Sequence, residues 1–238
     1  MQDSIGKLYL IPTRLGDNPP LEVLPISIKK IIERIDHYIV ENEKTARRFI
    51  KRVTPNKSQP SLKIKLLNKY TDSSELYTFL EDCKQGKDVG LLSEAGCPAI
   101  ADPGSDIVDI AHKEGIRVIP LVGPSSLLLA LMASGMNGQG FTFNGYLPID
   151  NTERKRKIKQ LEKQSFDLQH AQIFIETPYR NNKMLDELSK HLHPSTRVCV
   201  ACDLTLPTEY INTQTVSDWQ KTKVDLHKRP TIFIIQKD

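Results

Sequence analysis

Short apolar runs alternate with amphipathic stretches over the first half of the chain. The apolar runs predict buried strands at residues 7–12, 37–41, 89–93 and 117–122. The intervening stretches predict helices at residues 21–34, 45–53, 73–85 and 103–114. Strands separated by helices of this length need crossover connections. The pattern therefore predicts an N-terminal α/β domain, residues 1–121, with a mainly parallel sheet.

The second half of the chain has more strands per helix. Helices are predicted after residue 123 and at 152–163 and 182–191. Strands are predicted at residues 141–147, 171–176, 197–204, 209–213 and 231–236. Because some of these strands follow one another without a helix, we expect a mixed sheet in a second α/β domain, residues 122–238.

The segment 91–104, LLSEAGCPAIADPG, joins an apolar strand to a helix through a loop that contains a carboxylate, a glycine and two prolines. Asp102 suits the N-cap of the helix and Pro103 its first position. Loops at the carboxyl ends of strands are where α/β proteins usually bind ligands. This segment alone fits a ligand-binding loop and an ordinary connection equally well.

The charge balance is mildly basic, with 33 Lys and Arg against 29 Asp and Glu, for a net charge of +4. This excess suits an anionic partner without requiring one. The chain shows no amino-terminal signal pattern and no apolar run long enough to span a membrane. We therefore expect a soluble, cytoplasmic protein.

Four cysteines are too few and too scattered for a disulfide framework. Cys199 and Cys202 form a C-x-x-C pair, but they lie in a β-rich apolar run with no second pair nearby, so we expect buried cysteines and no metal. The signatures of P-loops, dinucleotide-binding folds, serine hydrolases and zinc proteases are missing from the sequence.

Five loops lie at predicted strand ends, at residues 12–20, 93–104, 123–126, 176–180 and 203–209. Four segments carry ordered motifs: SEAGCPAIADPG at 93–104, GPSS at 123–126, FTFNGYLP at 141–148 and ETPYR at 176–180. They resemble the tetrapyrrole methylase superfamily of S-adenosylmethionine-dependent methyltransferases, whose patterns are SDAGTPxISDPG, GPSA, FxFxGFLP and ESPHR. Within it, the chain is most similar to the branch that methylates the ribose 2′-hydroxyl of a cytidine in small-subunit ribosomal RNA.

The resemblance implies a homodimer of two-domain chains with S-adenosylmethionine in the cleft between the domains. Carried over by position, the cofactor contacts would be Ser93, Glu94, Ala95, Gly96, Ile100, Ser125, Ser126, Thr177, Ala201, Cys202, Asp203, Pro230 and Thr231. The glycine allows backbone amides to approach a ligand closely, and no metal is required.

The chain departs from the ribosomal branch in segments 40–50, VENEKTARRFI, and 69–75, KYTDSSE. The branch has AEDTRHTRKLL and SYHEHNE at these places. Methylation of a ribose hydroxyl benefits from a base, and Glu41 and Asp17 are our candidates. Arg14 and Arg47 could hold RNA phosphate. The structural alternatives are that Glu41 caps the next helix and that Arg47 is a solvated helix residue.

The predicted helix 152–163 is strongly basic and could follow an RNA backbone, although such a run is more often a solvated face. Three functions stay open. The first is an RNA ribose methyltransferase or a paralogue of one. The second is a methylase of a small tetrapyrrole precursor, but the first and third loops lack the G-x-G-P-G-D and G-G-D-P patterns typical there. The third is a non-catalytic module that binds an adenosyl ligand or RNA.

Overall fold

Five parallel strands form the sheet of the first structural unit, residues 1–125, in the computed structural model, which describes residues 5–68 and 70–238. The strands are β1 (Leu8–Ile11), β2 (His37–Val40), β3 (Lys63–Leu66), β4 (Val89–Leu92) and β5 (Val118–Pro120). They lie in the order β3-β2-β4-β1-β5, and every pairing is parallel. The predicted α/β domain with a parallel sheet is therefore confirmed.

Helices cover both faces of this sheet. They are α1 (Pro20–Val23), α2 (Ile26–Arg34), α3 (Glu43–Val53), α4 (Glu81–Lys84) and α5 (Ser105–Lys113), with a 3₁₀ helix at Ser73–Leu80. Alternate residues of β2 belong to different core clusters, since Tyr38 packs with Ile28 and Ile50 whereas Ile39 packs with Leu80. A strand with apolar neighbours on both faces reads as a continuous apolar run, which is why β2 could be predicted.

Three predictions in this unit were wrong in detail. The single helix 21–34 is two helices, because Pro25 forces the preceding Leu24 into an extended conformation. The helix 73–85 is mostly a 3₁₀ helix followed by α4. Strand β3 was not predicted because it is a half-exposed edge strand with lysines at alternate positions. Lys69, which begins segment 69–75, lies outside the described residues.

The start of α5 also differs from the prediction. The helix begins at Ser105 with Gly104 as N-cap, so Asp102 is not the cap and Pro103 is not the first helical residue. Gly104 has a φ of +131°, and a Cβ there would lie 2.8 Å from Leu91 Cδ2. Only glycine accommodates both this positive φ and the close contact with Leu91. Asp102 lies two residues before the N-cap, so its carboxylate is available for other contacts.

The second unit, residues 126–238, contains a mixed sheet. Its strands are β6 (Phe141–Tyr146), β7 (Ala171–Ile175), β8 (Arg197–Cys202), β9 (Tyr210–Thr215) and β10 (Thr231–Gln236). The order is β6-β7-β10-β8-β9, with β6 and β7 parallel and the other pairs antiparallel. This confirms the predicted mixed sheet, whereas the domain limits 1–121 and 122–238 stay predictions.

The helices of the second unit are α6 (Ser126–Ser134), α7 (Asn151–Leu168), α8 (Asn181–His191) and α9 (Val216–Trp219), with a 3₁₀ helix at Pro178–Arg180. The core joins residues of α7 and α8 to the sheet and includes Phe174 stacked on Phe233, whose ring centroids lie 5.8 Å apart. No helix in the described part of the chain is both long and apolar enough to cross a membrane.

A buried ion pair joins α7 to α8. Arg154 is only 3% exposed, and its guanidinium contacts both carboxylate oxygens of Glu187. It also donates to the carbonyls of Pro148 (3.1 Å) and Ile149 (2.7 Å). The Arg154 hydrogen bonds hold the pKa of Glu187 below its usual value. The first cation of the basic run 152–163 is therefore a packing residue and is not available to RNA.

We predict that Arg154→Gln lowers the free energy of unfolding by about 3 kcal/mol, because it leaves the Glu187 carboxylate half-buried without its partner. The matched control is Lys155→Gln, which removes the same charge from the exposed neighbouring position. It should change stability by less than about 0.5 kcal/mol. Urea denaturation followed by circular dichroism measures both, and equal effects would contradict this role.

Candidate functional site

Three neighbouring strands of the first unit end at the same edge, and the loops that follow them touch. The backbone N–H of Thr13, after β1, donates to the carbonyl of Gly96, after β4, at 2.9 Å. The hydroxyl of Thr45, at the start of α3 after β2, donates to Glu94 Oε1 at 2.6 Å. The topology therefore brings the predicted residues of three separate segments to one place, at the carboxyl edge where α/β sheets bind ligands.

The loop 93–104 is tightly folded. The buried Ser93 hydroxyl donates to the Gly96 carbonyl at 2.6 Å, and Gly96 has a φ of +76°. Ala99 and Ala101 have φ values of +63° and +61°, a conformation that costs a non-glycine residue about 1 kcal/mol. Backbone strain of this kind is concentrated at functional sites.

The segment 123–126 packs beside this loop. A Cβ on Gly96 would lie 3.3 Å from the carbonyl oxygen of Pro124, and Cys97 Sγ lies 3.5 Å from the same oxygen. Ser125 follows Pro124 directly and is half-buried. Ser126 is the first residue of α6 and belongs to the second unit.

Three carboxylates influence one another at this edge. Burial raises the pKa of Glu41, and the neighbouring charges of Asp102 and Glu94 raise it further. Burial, followed by the charge of Glu94, raises the pKa of Asp102 to about 6. Glu41 Oε1 is buried and has no hydrogen-bond partner among the described residues. Glu41 and Asp102 therefore hold protons more strongly than ordinary carboxylates, as acids and bases of active sites do.

Helix α3 is capped by Asn42 and not by Glu41. The Asn42 side-chain oxygen accepts from the backbone N–H groups of Lys44 (3.0 Å) and Thr45 (3.2 Å). The alternative interpretation of Glu41 as a helix cap is therefore wrong. The Glu41 carboxylate therefore interacts with the charges of Asp102 and Glu94 at the sheet edge.

The other predicted substrate residues are engaged in ion pairs. Asp17 lies between Arg14 (2.6 Å) and Arg52 (2.5 Å), and hydrogen bonding from Arg52 lowers the pKa of Asp17. Arg47 pairs with Glu43 at 2.7 Å and also donates to a backbone carbonyl at 2.5 Å. Arg47 is thus a tethered helix residue, half-buried and not freely solvated.

A cavity of about 200 Å³ lies beside these groups. Its wall comes from the loop after β1, the first turns of α3 and the end of β4. The lining residues are Thr13, Arg14, Leu15, Gly16, Asp17, Thr45, Ala46, Arg48, Phe49, Leu92, Ser93 and Glu94. The predicted Arg14, Asp17, Ser93 and Glu94 therefore share one cavity.

One edge of the sheet of the second unit holds six predicted cofactor residues: Thr177, Ala201, Cys202, Asp203, Pro230 and Thr231. Thr231 at the start of β10 pairs with Cys202 at the end of β8, and the next pair in the register includes Ala201. The Asp203 N–H donates to the carbonyl of Pro230 at 2.9 Å. The N–H of Lys228 donates to the carbonyl of Pro178, next to Thr177, at 3.0 Å, which brings the ETPYR segment to the same edge.

An ion pair between Asp203 and Arg229 lies at this edge of the second sheet. Asp203 is buried with a φ of +50°, and its carboxylate accepts from Arg229 Nε at 2.7 Å and from the Thr208 hydroxyl at 2.9 Å. Neither Arg229 nor Thr208 was a predicted site residue. Arg229 lies 26 positions from Asp203, so no local pattern could have shown the pair.

The two cysteines of the C-x-x-C pair are buried on β8, as expected. Burial raises the pKa of both the Cys199 and the Cys202 thiols, which disfavours the thiolate that zinc requires. In the part of the chain that the structure describes, no group of three or more His, Cys, Asp or Glu side chains is arranged to hold a metal ion.

The fold and these two edges define a class of protein. Residues 7–220 match the family model of the tetrapyrrole (corrin/porphyrin) methylases. The chain belongs to this family, and it is an S-adenosylmethionine-dependent methyltransferase.

The relatives narrow this class further. Over 98% of its length the chain is 27% identical to ribosomal RNA small subunit methyltransferase I of Escherichia coli O157:H7, covering 79% of that protein. It is 30% identical to the protein of the same name from Bacillus subtilis strain 168, over 91% of this chain and 70% of the relative. The solved structure of the methyltransferase CobJ shares the fold, with a TM-score of 0.62 and 15% identity over 98% of this chain and 94% of that one.

We predict that Asp102→Asn stabilises the protein at neutral pH by about 1 to 3 kcal/mol. The pKa of Asp102 is raised from 3.8 to about 6 in the folded state, so the fold loses stability as the pH rises from 3.8 through about 6, because the unfolded state ionises more readily, and the loss is complete above that range. The gain should be present at pH 8 and nearly absent at pH 4. Urea denaturation at both values measures it, with exposed Asp106→Asn as control; a pH-independent effect would contradict it.

Proposed function

We propose that this protein transfers a methyl group from S-adenosylmethionine to a ribose 2′-hydroxyl of small-subunit ribosomal RNA. The observation that carries the proposal is the Glu41 carboxylate, half-buried with a raised pKa and an unpartnered oxygen, close to the folded loop 93–104. Two relatives that match most of the chain are named as methyltransferases of this RNA. The tetrapyrrole enzymes among the solved structures are at most 16% identical and support the fold alone.

The residues of loop 93–104 have suitable chemistry for the cofactor. Ala95 and Ile100 are exposed, so Ala95 and one large apolar side chain are open to a ligand next to the buried Gly96. The exposed Glu94 carboxylate can accept hydrogen bonds from ribose hydroxyls. The bound cofactor supplies a methyl group activated by a positive sulfonium. We assign its binding to this loop with Ser125. The residues Ser126, Thr177, 201–203, Pro230 and Thr231 stay predicted cofactor contacts that the family resemblance implies.

Glu41 is better suited than Asp17 to act as the base. A carboxylate with a raised pKa accepts a hydroxyl proton more readily, whereas two guanidiniums contact Asp17 Oδ1 and lower the pKa of Asp17. Glu41 would take the proton of the 2′-hydroxyl and so make that oxygen more nucleophilic. The bound cofactor would supply the methyl group and leave as S-adenosylhomocysteine, whose sulfur would keep the electron pair of the broken S–C bond. The protein otherwise accelerates the reaction by holding donor and acceptor in line.

We also propose a homodimer located in the cytoplasm. The second unit exposes large apolar side chains near one another in sequence, among them Met132 (79% exposed), Tyr146 (60%) and Ile149 (72%). Exposed apolar residues of this size favour a protein partner, and a second copy fits the family resemblance. Light scattering of the purified protein at micromolar concentration would measure the mass, and a monomer would contradict the dimer.

Incubation of the purified protein with labelled S-adenosylmethionine and small ribosomal subunits tests the function. The subunits should come from a strain that lacks the gene, so that the acceptor is unmethylated. Mass spectrometry of the digested RNA should then show one new 2′-O-methylated nucleoside. Label in a base, or in no RNA at all, would contradict the proposal.

Glu94→Ala should weaken S-adenosylmethionine binding at least tenfold, because it removes the one exposed carboxylate of the loop. Tenfold corresponds to about 1.4 kcal/mol. Isothermal titration calorimetry measures the affinity. Asp106→Ala removes another exposed carboxylate, on α5, and should leave the affinity unchanged. Equal affinities for wild type and Glu94→Ala would remove Glu94 from the cofactor site.

Glu41→Gln should lower kcat by at least about 100-fold with unchanged cofactor affinity, because it removes the base but keeps the shape. In the wild type, kcat should fall at acidic pH as Glu41 is protonated, and the raised pKa moves this fall toward neutrality. The variant should lack this limb of the pH profile. If Asp17→Asn removes the limb and Glu41→Gln does not, Asp17 is the base.

A further inference from the structure

The cavity beside the loop 93–104 has more cations than it needs for its own structure. The lining side chains Arg14 and Asp17 form one ion pair, and Arg52 adds a second cation to the same carboxylate. The lining carboxylate of Glu94 accepts a hydrogen bond from the Thr45 hydroxyl. Each of these groups therefore has a partner within the protein.

Arg48 is different from its neighbours. It lines the cavity from the second turn of α3, is exposed, and has no ion pair or hydrogen bond among the described residues. Arg47, the next residue back, is held by Glu43 and a backbone carbonyl. The cation at this wall that is free to meet a ligand is therefore Arg48.

A second, independent observation points to a ligand. Thr13 lines the same cavity, is only 4% exposed, and its hydroxyl has no hydrogen-bond partner in the described part of the chain. A buried polar atom without a partner destabilises the fold. A ligand oxygen in the cavity would supply the missing partner.

We propose that this cavity binds a sugar–phosphate unit of the RNA, with Arg48 on a phosphate oxygen and the Thr13 hydroxyl on a neighbouring oxygen. The assignment rests on the proposed RNA substrate and adds the groups that hold it. The cavity opens to solvent, so one sugar–phosphate unit can enter it. Ser93 and Glu94 also line the cavity, so the phosphate would lie next to the cofactor loop.

Arg48→Gln tests the cationic half of the site against Lys51→Gln, which removes the same charge from an exposed residue of α3 outside the cavity. We expect Arg48→Gln to raise the KM for small ribosomal subunits about tenfold with unchanged cofactor affinity. In fluorescence anisotropy with small-subunit RNA, the plot of log affinity against log salt should become shallower by about 0.7 to 0.9, the loss of one phosphate contact. Lys51→Gln should leave both measurements unchanged.

Thr13→Val tests the polar half, because it keeps the shape and removes the hydroxyl. We expect a thermal midpoint at or above that of the wild type, since a buried unsatisfied atom is gone, together with a KM for RNA raised about fivefold. A KM equal to that of the wild type would overturn the role of Thr13. Inorganic phosphate at millimolar concentration should compete with RNA for the wild type and not for Arg48→Gln; competition that persists would overturn the site.

The outcomes separate this inference from the proposed function. If the wild type methylates RNA but Arg48→Gln and Lys51→Gln have equal effects, the cavity is not the phosphate site and the function stands. If the wild type binds small-subunit RNA with no dependence on Arg48, the site also fails, and this readout does not require activity. If the wild type neither binds nor methylates RNA, the proposed function fails and this inference fails with it.

Discussion

The position of β4 between β2 and β1 is the constraint on which the candidate site depends. All four residues of this strand are buried, and its Gly90 lies directly beneath side chains of both neighbours, Ile11 and Tyr38. A Cβ there would lie 2.7 Å from Ile11 Cδ1, so a larger residue would have to displace that side chain. The three strand ends are level because Leu92, the last residue of β4, pairs with both Ile11 and Val40, the last residues of β1 and β2. Loops that are far apart in sequence can therefore exchange hydrogen bonds at one edge.

At the same edge of the sheet, groups suited to proton transfer lower the stability of the fold. Burying carboxylates near one another raises their proton affinity, which suits proton transfer but costs folding free energy. Asp102 contributes no cap that would offset this cost, since the helix start is formed by Gly104. The left-handed alanines of the same loop add strain. The stabilising interactions lie elsewhere, in apolar cores and in the buried pair of Arg154 with Glu187.

Strands and helices whose apolar residues form long runs or recur at a regular spacing could be predicted from the sequence. The strands β1, β2 and β4 and the helix α3 were found because their residues are buried on one or both faces. Strand β3 was missed because its alternate lysines give it the composition of a loop. The start of α5 was misplaced because Gly104 packs on Leu91, a contact that only the folded chain reveals.

The same contrast holds for the site. The candidate loops could be located because the carboxyl ends of parallel strands lie at one edge of a sheet. It was harder to predict which arginine lacks an ion-pair partner, because Arg47 and Arg48 are adjacent and chemically identical. The signal that was available is Glu43, four residues before Arg47, which predicts an ion pair along the helix. The carbonyl that completes the tether comes from Gln59, and nothing local indicates it.

The position of β10 in its sheet determines when the second unit can finish folding during synthesis. This strand is the last in the chain, yet it lies in the middle of its sheet, between β7 and β8. The strands synthesised before it cannot close into their final order until β10 has left the ribosome. Until then, strands β6 to β9 have backbone edges without a pairing partner. Such edges can pair wrongly or aggregate. The first unit has no such delay, because its central strand β4 is made before its last strand.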